Sequence, residues 1–327
     1  MKKYIALFAA LLALVVSSCS NDDLVVDQAI TFKVNPSTVV SSLLETKPGD
    51  LSSLDDEETL LVELYIYDKS GSLVAKDVQK FNAYTHILNS VQNLSNGEYT
   101  VVACTHIEAE SKTENKIIEY WSINGTEKLS TFTVKDNNYI GASAKLLGLT
   151  VQKINVTSAT KEVSINVECA GALALVKVSN WTKYSDVVRY AIVSKQACDE
   201  ASIDNSTIKY THRTENTYKY TMAMWDYDAK YTGGTGYIFL FPTSNIDLFY
   251  VGLTTEKLIP LGKPVSMPIV KGHNYYFEYD VQNDVNTWED RTAQKSSAPA
   301  KAPSANVALT DNMLRFNTQT GTITIAQ

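Results

Sequence analysis

The stretch LLVELYIYDKSGSLV, Leu60 to Val74, decides the fold. Leu61, Glu63, Tyr65 and Tyr67 alternate with Leu60, Val62, Leu64 and Ile66, and a period of two puts successive side chains on opposite faces of a strand. Asp68 to Gly71 then supplies turn chemistry, with Gly71 free to take positive φ, and a second strand leaves through Leu73. Upstream, AITFKVNP alternates Ile30, Phe32 and Val34 with Thr31 and Lys33, the pattern of a half-buried strand. Between these segments lies TKPGDLSSLDDEET, whose acids Asp55 to Glu58 read as a solvated loop. Downstream, AYTHILNSVQNL carries Tyr84, Ile87, Leu88, Val91 and Leu94 at helical spacing and predicts a short helix. GEYTVVACTH returns to strand. Together these segments predict an all-β domain with one short helix.

Near Thr157–Thr160 the pattern resets. In KEVSINVECAGALALVKVSN, Val163, Ile165 and Val167 alternate with polar residues, a turn falls around Ala170–Gly171, and Leu173, Leu175 or Val176, and Val178 follow. The expected unit is a hairpin opening a second sandwich. DVVRYAIVSKQ, YKYTMAMWDYD, TGYIFLFPTS, DLFYVGLTT and NYYFEYDVQN continue it at regular spacing, and no long helical pattern interrupts them. From Arg291 the composition shifts to Pro, Ala, Ser and Lys, a linker with nothing to bury. MLRFNTQTGTITIAQ then reads as two strands around a turn at Thr320–Gly321. The expected organisation is a leader over 1–18, a tether over 19–29, one sandwich over 30–158 and another over 159–290. A linker over 291–306 and C-terminal strands over 307–327 complete it.

The N-terminus carries a separate message. MKK is positive and Tyr4 to Val16 is continuously apolar, too short for a bilayer core that needs about 20 residues. It has the proportions of a secretory leader. VSSC, Val16 to Cys19, resembles a bacterial lipobox: an aliphatic residue, two small ones, then the cysteine that is acylated and becomes the new N-terminus. Each acyl CH₂ buried in lipid contributes about 0.8 kcal/mol, so two or three chains on Cys19 hold a protein durably. Asp22 and Asp23 follow, either a short version of the acidic cluster that marks surface export in Bacteroidetes lipoproteins or a plain solvated tether.

The remaining residues point away from catalysis. The net charge is −7, and the 29 basic residues form no stripe, which argues against a nucleic-acid partner. His86, His106, His212 and His273 lie at no zinc-ligand spacing. GGTG at 233–236 lacks the lysine and context of a phosphate loop and reads as a hairpin turn. The acids of DLSSLDDEE lack the spacing of a calcium loop. Cys104 and His106 fall on one strand face, yet no third group orients them. Besides Cys19, only Cys104, Cys169 and Cys198 remain, and a Cys169–Cys198 bridge stays open. Trp225 with Tyr218, Tyr220 and Tyr227 offers an aromatic face for sugar rings, although aromatics at period two more often fill a core. No metal, cofactor or enzymatic activity is expected.

Taken together, the lipobox cysteine, LVELYIYDKSGSLV followed by LSNGEYTVVACTH, and IVKGHNYYFEYDV near residue 280 resemble the Bacteroidetes fimbrillin superfamily, the subunits and anchors of type V pili. The resemblance spans roughly residues 30–285. It implies two tandem Greek-key, transthyretin-like sandwiches and export as an outer-membrane, surface-exposed lipoprotein. Its implied partners are other fimbrial subunits joined by strand addition, membrane lipid at acylated Cys19, and a host or bacterial surface ligand. In that family an arginine-directed protease removes the first strand of a stalk or tip subunit, and a neighbour's C-terminal strand fills the groove. Leu314, Phe316, Ile323 and Ile325 alternate with polar residues and suit a donor strand, or a hairpin that folds back on the second sandwich. Here the first arginine is Arg189, and only a lysine-directed cut at Lys33 or Lys47 would reach the N-terminal segment. Without a cut, the subunit donates a strand but accepts none, as a lipid-held anchor does. The alternatives are a cleaved stalk or tip adhesin and a surface glycan-binding lipoprotein.

Overall fold

The computed structural model describes residues 27–41, 54, 56–111, 115–137, 146–181, 186–194, 197–211, 221–226, 228, 231–254, 258–292, 314–317 and 322–325; for 40–41, 221–226, 258 and the last two segments it gives the backbone alone. In chain order the first elements are β1 (Gln28–Asn35), α1 (Ser37–Ser41), β2 (Glu58–Tyr67), β3 (Leu73–Phe81), β4 (Leu88–Leu94), β5 (Gly97–Ser111), β6 (Lys116–Glu119), β7 (Trp121–Asn124), β8 (Thr133–Asp136), β9 (Gly148–Val156) and β10 (Glu162–Asn166). A single 3₁₀ turn, Leu129–Thr131, precedes β8. There follow β11 (Ala172–Ser179), β12 (Arg189–Ser194), β13 (Glu200–Asp204), β14 (Thr207–Thr211), β15 (Thr221–Asp226), β16 (Gly233–Leu240), β17 (Thr243–Leu253), β18 (Leu258–Ile269), β19 (Asn274–Asp280), β20 (Val285–Asp290), β21 (Leu314–Asn317) and β22 (Thr322–Ile325). The protein is all-β.

In the first sandwich, the sheet β10-β1-β4 faces the sheet β3-β2-β5-β6, with β9 also beside β5. Ile30, Phe32 and Val34 of one sheet and Leu60, Val62, Leu64 and Ile66 of the other are fully buried in one hydrophobic cluster. β2 is buried on its second face too, because a third sheet, β14-β13-β8-β7, lies over it. Tyr65 meets Phe132 edge-on at 5.3 Å, and the Tyr67 hydroxyl donates to the Thr126 carbonyl at 2.9 Å. This third sheet joins the halves of the chain. Ala201, Ile203 and Phe241 belong to the first cluster, and Trp121 packs against Phe239 and Phe241 at 5.5 and 5.3 Å.

The second sandwich packs β16-β11-β19-β20 against β15-β12-β17-β18. Its separate core holds Val176, Val178, Trp181, Tyr190, Leu248, Tyr250, Phe277 and Tyr279, among others. The Trp181 and Tyr190 rings stack at 5.3 Å, and the Tyr190 hydroxyl donates to the Trp181 carbonyl at 2.8 Å.

Three sequence expectations change. The short helix lies at Ser37–Ser41, whereas residues 83–94 end in strand β4. Leu88, Ser90 and Leu94 are buried there while Val91 points outward, and the inward Ser90 hydroxyl accepts from Gln92 at 2.7 Å. That polar pair hides the alternation, and the helical spacing is coincidence. Residues 162–178 form no hairpin: β10 pairs with β1, and β11 with β16 and β19. GGTG is the start of β16, not a turn. A Cβ on Gly233 would sit 2.1 Å from the Val178 carbonyl oxygen, so the close approach of β16 to β11 requires a glycine.

Candidate strand-exchange site

β1 is a central strand. It runs antiparallel to β4, from Gln28↔Leu94 to Val34↔Leu88, and parallel to β10, from Thr31↔Glu162 to Asn35↔Asn166. The pleat that the sequence predicts is kept: Ile30, Phe32 and Val34 are each 0% exposed, while Thr31 and Lys33 look outward. Removing β1 would leave the facing edges of β4 and β10 unpaired and three side-chain pockets empty. A groove of that kind is what an added strand recognises: backbone donors and acceptors give affinity, and alternate pockets give register.

The strand has a latch at its C-terminal end. Asn35 Oδ1 accepts from the Ser37 amide at 3.1 Å and from its hydroxyl at 2.8 Å, which turns the chain into α1. The Thr38 hydroxyl donates to the Val167 carbonyl. Val39 is fully buried under Gly148, where a Cβ would stand 2.6 Å from a Val39 methyl and 2.3 Å from Thr105 Oγ1. Burying an apolar side chain contributes about 1.5–3 kcal/mol before the entropy of ordering the strand is counted, so Ile30, Phe32, Val34 and Val39 make β1 and its latch a substantial part of the first core.

Lys33, one of the two candidate processing positions, sits in the middle of β1, paired on both sides, with its ammonium 2.7 Å from Glu162. A protease cleft needs several extended, unpaired residues, and β1 offers none around Lys33. Lys47 and the lipidation candidate Cys19 lie outside the described residues. Of the donor-strand candidates, Leu314 and Phe316 fall on β21, and Ile323 and Ile325 on β22. Among the described residues these strands pair with each other, Leu314 opposite Ile325 and Phe316 opposite Ile323. The turn expected at Thr320–Gly321 lies outside the described residues.

Cys104 and His106 do share a face, and a third group that sequence reasoning missed joins them. Glu63 is the cross-strand neighbour of Cys104 on β2. Its Oε1 lies 2.8 Å from His106 Nε2, its Oε2 accepts from the Tyr65 hydroxyl, and Lys76 stands 3.8 Å away. Burial opposes ionisation of Glu63, but the hydrogen bonds from His106 and Tyr65 and the charges of His106 and Lys76 outweigh it and hold the carboxyl below its ordinary range. Burial pushes the Cys104 thiol well up, and the Glu63 charge adds to it, so the sulfur is a poor nucleophile. Cys104, Cys169 and Cys198 are all free thiols. No cluster of metal-ligating side chains occurs among the described residues. The side chains of Tyr218, Tyr220, Trp225 and Tyr227 lie outside the described part.

No protein-family model matches the chain. No curated protein matches it. Among solved structures, it is similar to a candidate cell adhesion protein from Bacteroides ovatus, with 11% identity over 86% of this chain and 99% of that one and a TM-score of 0.46. The fimbrial anchor protein Mfa2 from Porphyromonas gingivalis is 8% identical over 85% of this chain and 100% of that one, with a TM-score of 0.45. The tip fimbrial protein Mfa3 from the same organism, with a C-terminal truncation, is 8% identical over 81% and 98%, with a TM-score of 0.39. These three are described as adhesion or fimbrial proteins, and another similar structure, from Bacteroides thetaiotaomicron, is described as a candidate polysaccharide-binding protein, 11% identical over 82% of this chain and 96% of that one with a TM-score of 0.47.

Proposed function

We propose that this chain is a non-enzymatic fimbrial protein of the cell surface, held in the outer membrane by acylated Cys19, which joins a filament by donating its C-terminal strand. One observation supports the reading: β1 is paired on both edges, with Ile30, Phe32 and Val34 completely buried, so it offers a protease no unpaired stretch around Lys33 and is kept in the mature chain. A subunit in this state has no groove to offer, so it ends a polymer. The absence of any arginine before Arg189 agrees with a chain that keeps its first strand. Beyond Arg291, Leu314, Phe316, Ile323 and Ile325 are the donor candidates for strand addition.

The test is truncation after residue 306 in the native host. The shortened protein should stay in the membrane fraction and lose its co-purification with filament subunits. Unchanged co-purification would remove the C-terminal strands from the joint. A cleaved stalk or tip subunit is the rival, and it requires the N-terminal segment to be missing from the mature protein.

A further inference from the structure

We infer that the parallel pair β1–β10 is a mechanical clamp that carries tension between the membrane tether and the body of the protein. The inference rests on the anchor reading, because only a chain held at its N-terminus puts load on β1.

The argument is topological. Only two neighbouring pairs among the described strands are parallel, β1 with β10 and β11 with β19; the remaining ladders are antiparallel. Tension from the tether enters β1 at Gln28. It leaves β10 at Asn166, through Val167–Gly171 into β11. Because the two strands run the same way, entry and exit lie at opposite ends of the ladder: Gln28 reaches the Thr157 carbonyl at one end, and Asn35 faces Asn166 at the other. Pulling therefore slides β1 along β10, and the bonds of the ladder share the load. In an antiparallel pair pulled from one end they would break one after another.

The ladder is reinforced where the load acts. Its backbone bonds extend beyond the strand pair, with the Thr31 amide donating to the Lys161 carbonyl at 2.9 Å and the Val167 amide to the Asn35 carbonyl at 2.9 Å. Across it run the Lys33–Glu162 ion pair at 2.7 Å and the hydrogen bond that the Asn35 side-chain amide donates to Asn166 Oδ1 at 3.3 Å. β4 holds the other edge of β1, and three buried side chains resist sliding from below. The second sandwich is loaded differently. Its exit at Arg291, whose amide donates to the Asn274 carbonyl at 2.7 Å, lies beside its entry at Leu173, the partner of Asn274. Tension on the C-terminal tail thus peels β20 from β19, and this half should open before the first.

Single-molecule pulling tests the clamp on the mature chain, in a Cys198→Ser background so that only introduced thiols carry handles. Handles at Asp27→Cys and Glu168→Cys, in a chain that also carries Ser37→Ala so that both arrangements lack the Ser37 hydroxyl, load β1–β10 in shear. Handles at Ser37→Cys and Glu168→Cys pull the same ladder apart from its Asn35–Asn166 end. Forced opening follows the unfolding rate, so the shear arrangement should survive to several-fold higher force at one pulling speed. Equal forces in the two arrangements would overturn the clamp. Thermal unfolding of both variants serves as the control, and the comparison stands if they melt alike. A native N-terminus without lipid would instead remove the anchor reading and leave the pulling result intact.

Discussion

Phe32→Ala tests whether β1 is part of the core or a strip laid over it. Phe32 is fully buried between β4 and β10 and packs in the main hydrophobic cluster of the first sandwich. Truncating a buried phenylalanine to alanine costs about 3–5 kcal/mol, through lost transfer energy plus the cavity left behind. Against a domain stability of about 5–15 kcal/mol, that is a large fraction of the total. At an m-value of about 2 kcal/mol per molar urea, the midpoint of the first sandwich should fall by about 2 M. Urea unfolding followed by far-ultraviolet circular dichroism and tryptophan fluorescence reads it, since Trp121 reports on the first core and Trp181 on the second. Thr31→Ala, on the outward face of the same strand, serves as the control and should move the midpoint little. A loss below about 1 kcal/mol for Phe32→Ala would refute the reasoning, because a buried ring in a rigid site cannot be removed so cheaply.

Three further outcomes are expected. Glu63 has its carboxyl lowered in the folded state, so the stability it contributes is present above the unfolded carboxylate range and is lost as pH falls through the folded value; Glu63→Gln should lower the melting temperature at neutral pH and flatten its fall on acidification. Gly148→Ala should cost about 1–3 kcal/mol by overpacking against Thr105, Val167 and Val39, read by thermal melting. Cys104 and Cys169 are buried, and the Cys169 thiol is pushed up to about 11 by burial, so iodoacetamide at neutral pH should label neither until urea unfolds the chain.

Much of the fold is legible in the sequence because its strands obey one period. LLVELYIY alternates over eight residues, and both faces of β2 are indeed buried. AITFKVN likewise exposes its inward row, but pattern alone does not say that β1 is central: its parallel partner β10 lies about 130 residues away, and no local signal records that pairing. The same limit made β10 and β11 look like a hairpin. The helix expected over 83–94 failed because Ser90 and Gln92 satisfy each other at inward positions, so polarity there does not mark exposure. β6, β7 and β8 are four residues each, too short for periodicity to register. Glu63 did leave a signal, a lone acid inside an apolar strand, yet its partner His106 becomes visible only once the register of β2 and β5 is known.

The central claim is that β1 stays in place on a lipid-held chain. The most direct measurement is the intact mass and N-terminal residue of the protein purified from outer-membrane fractions of its own host. The expected result is an acylated Cys19 followed by the full mature chain to Gln327. A lipid-free chain beginning beyond Lys33 or Lys47 would contradict it, and would make this a subunit whose first groove is open to a neighbour's strand.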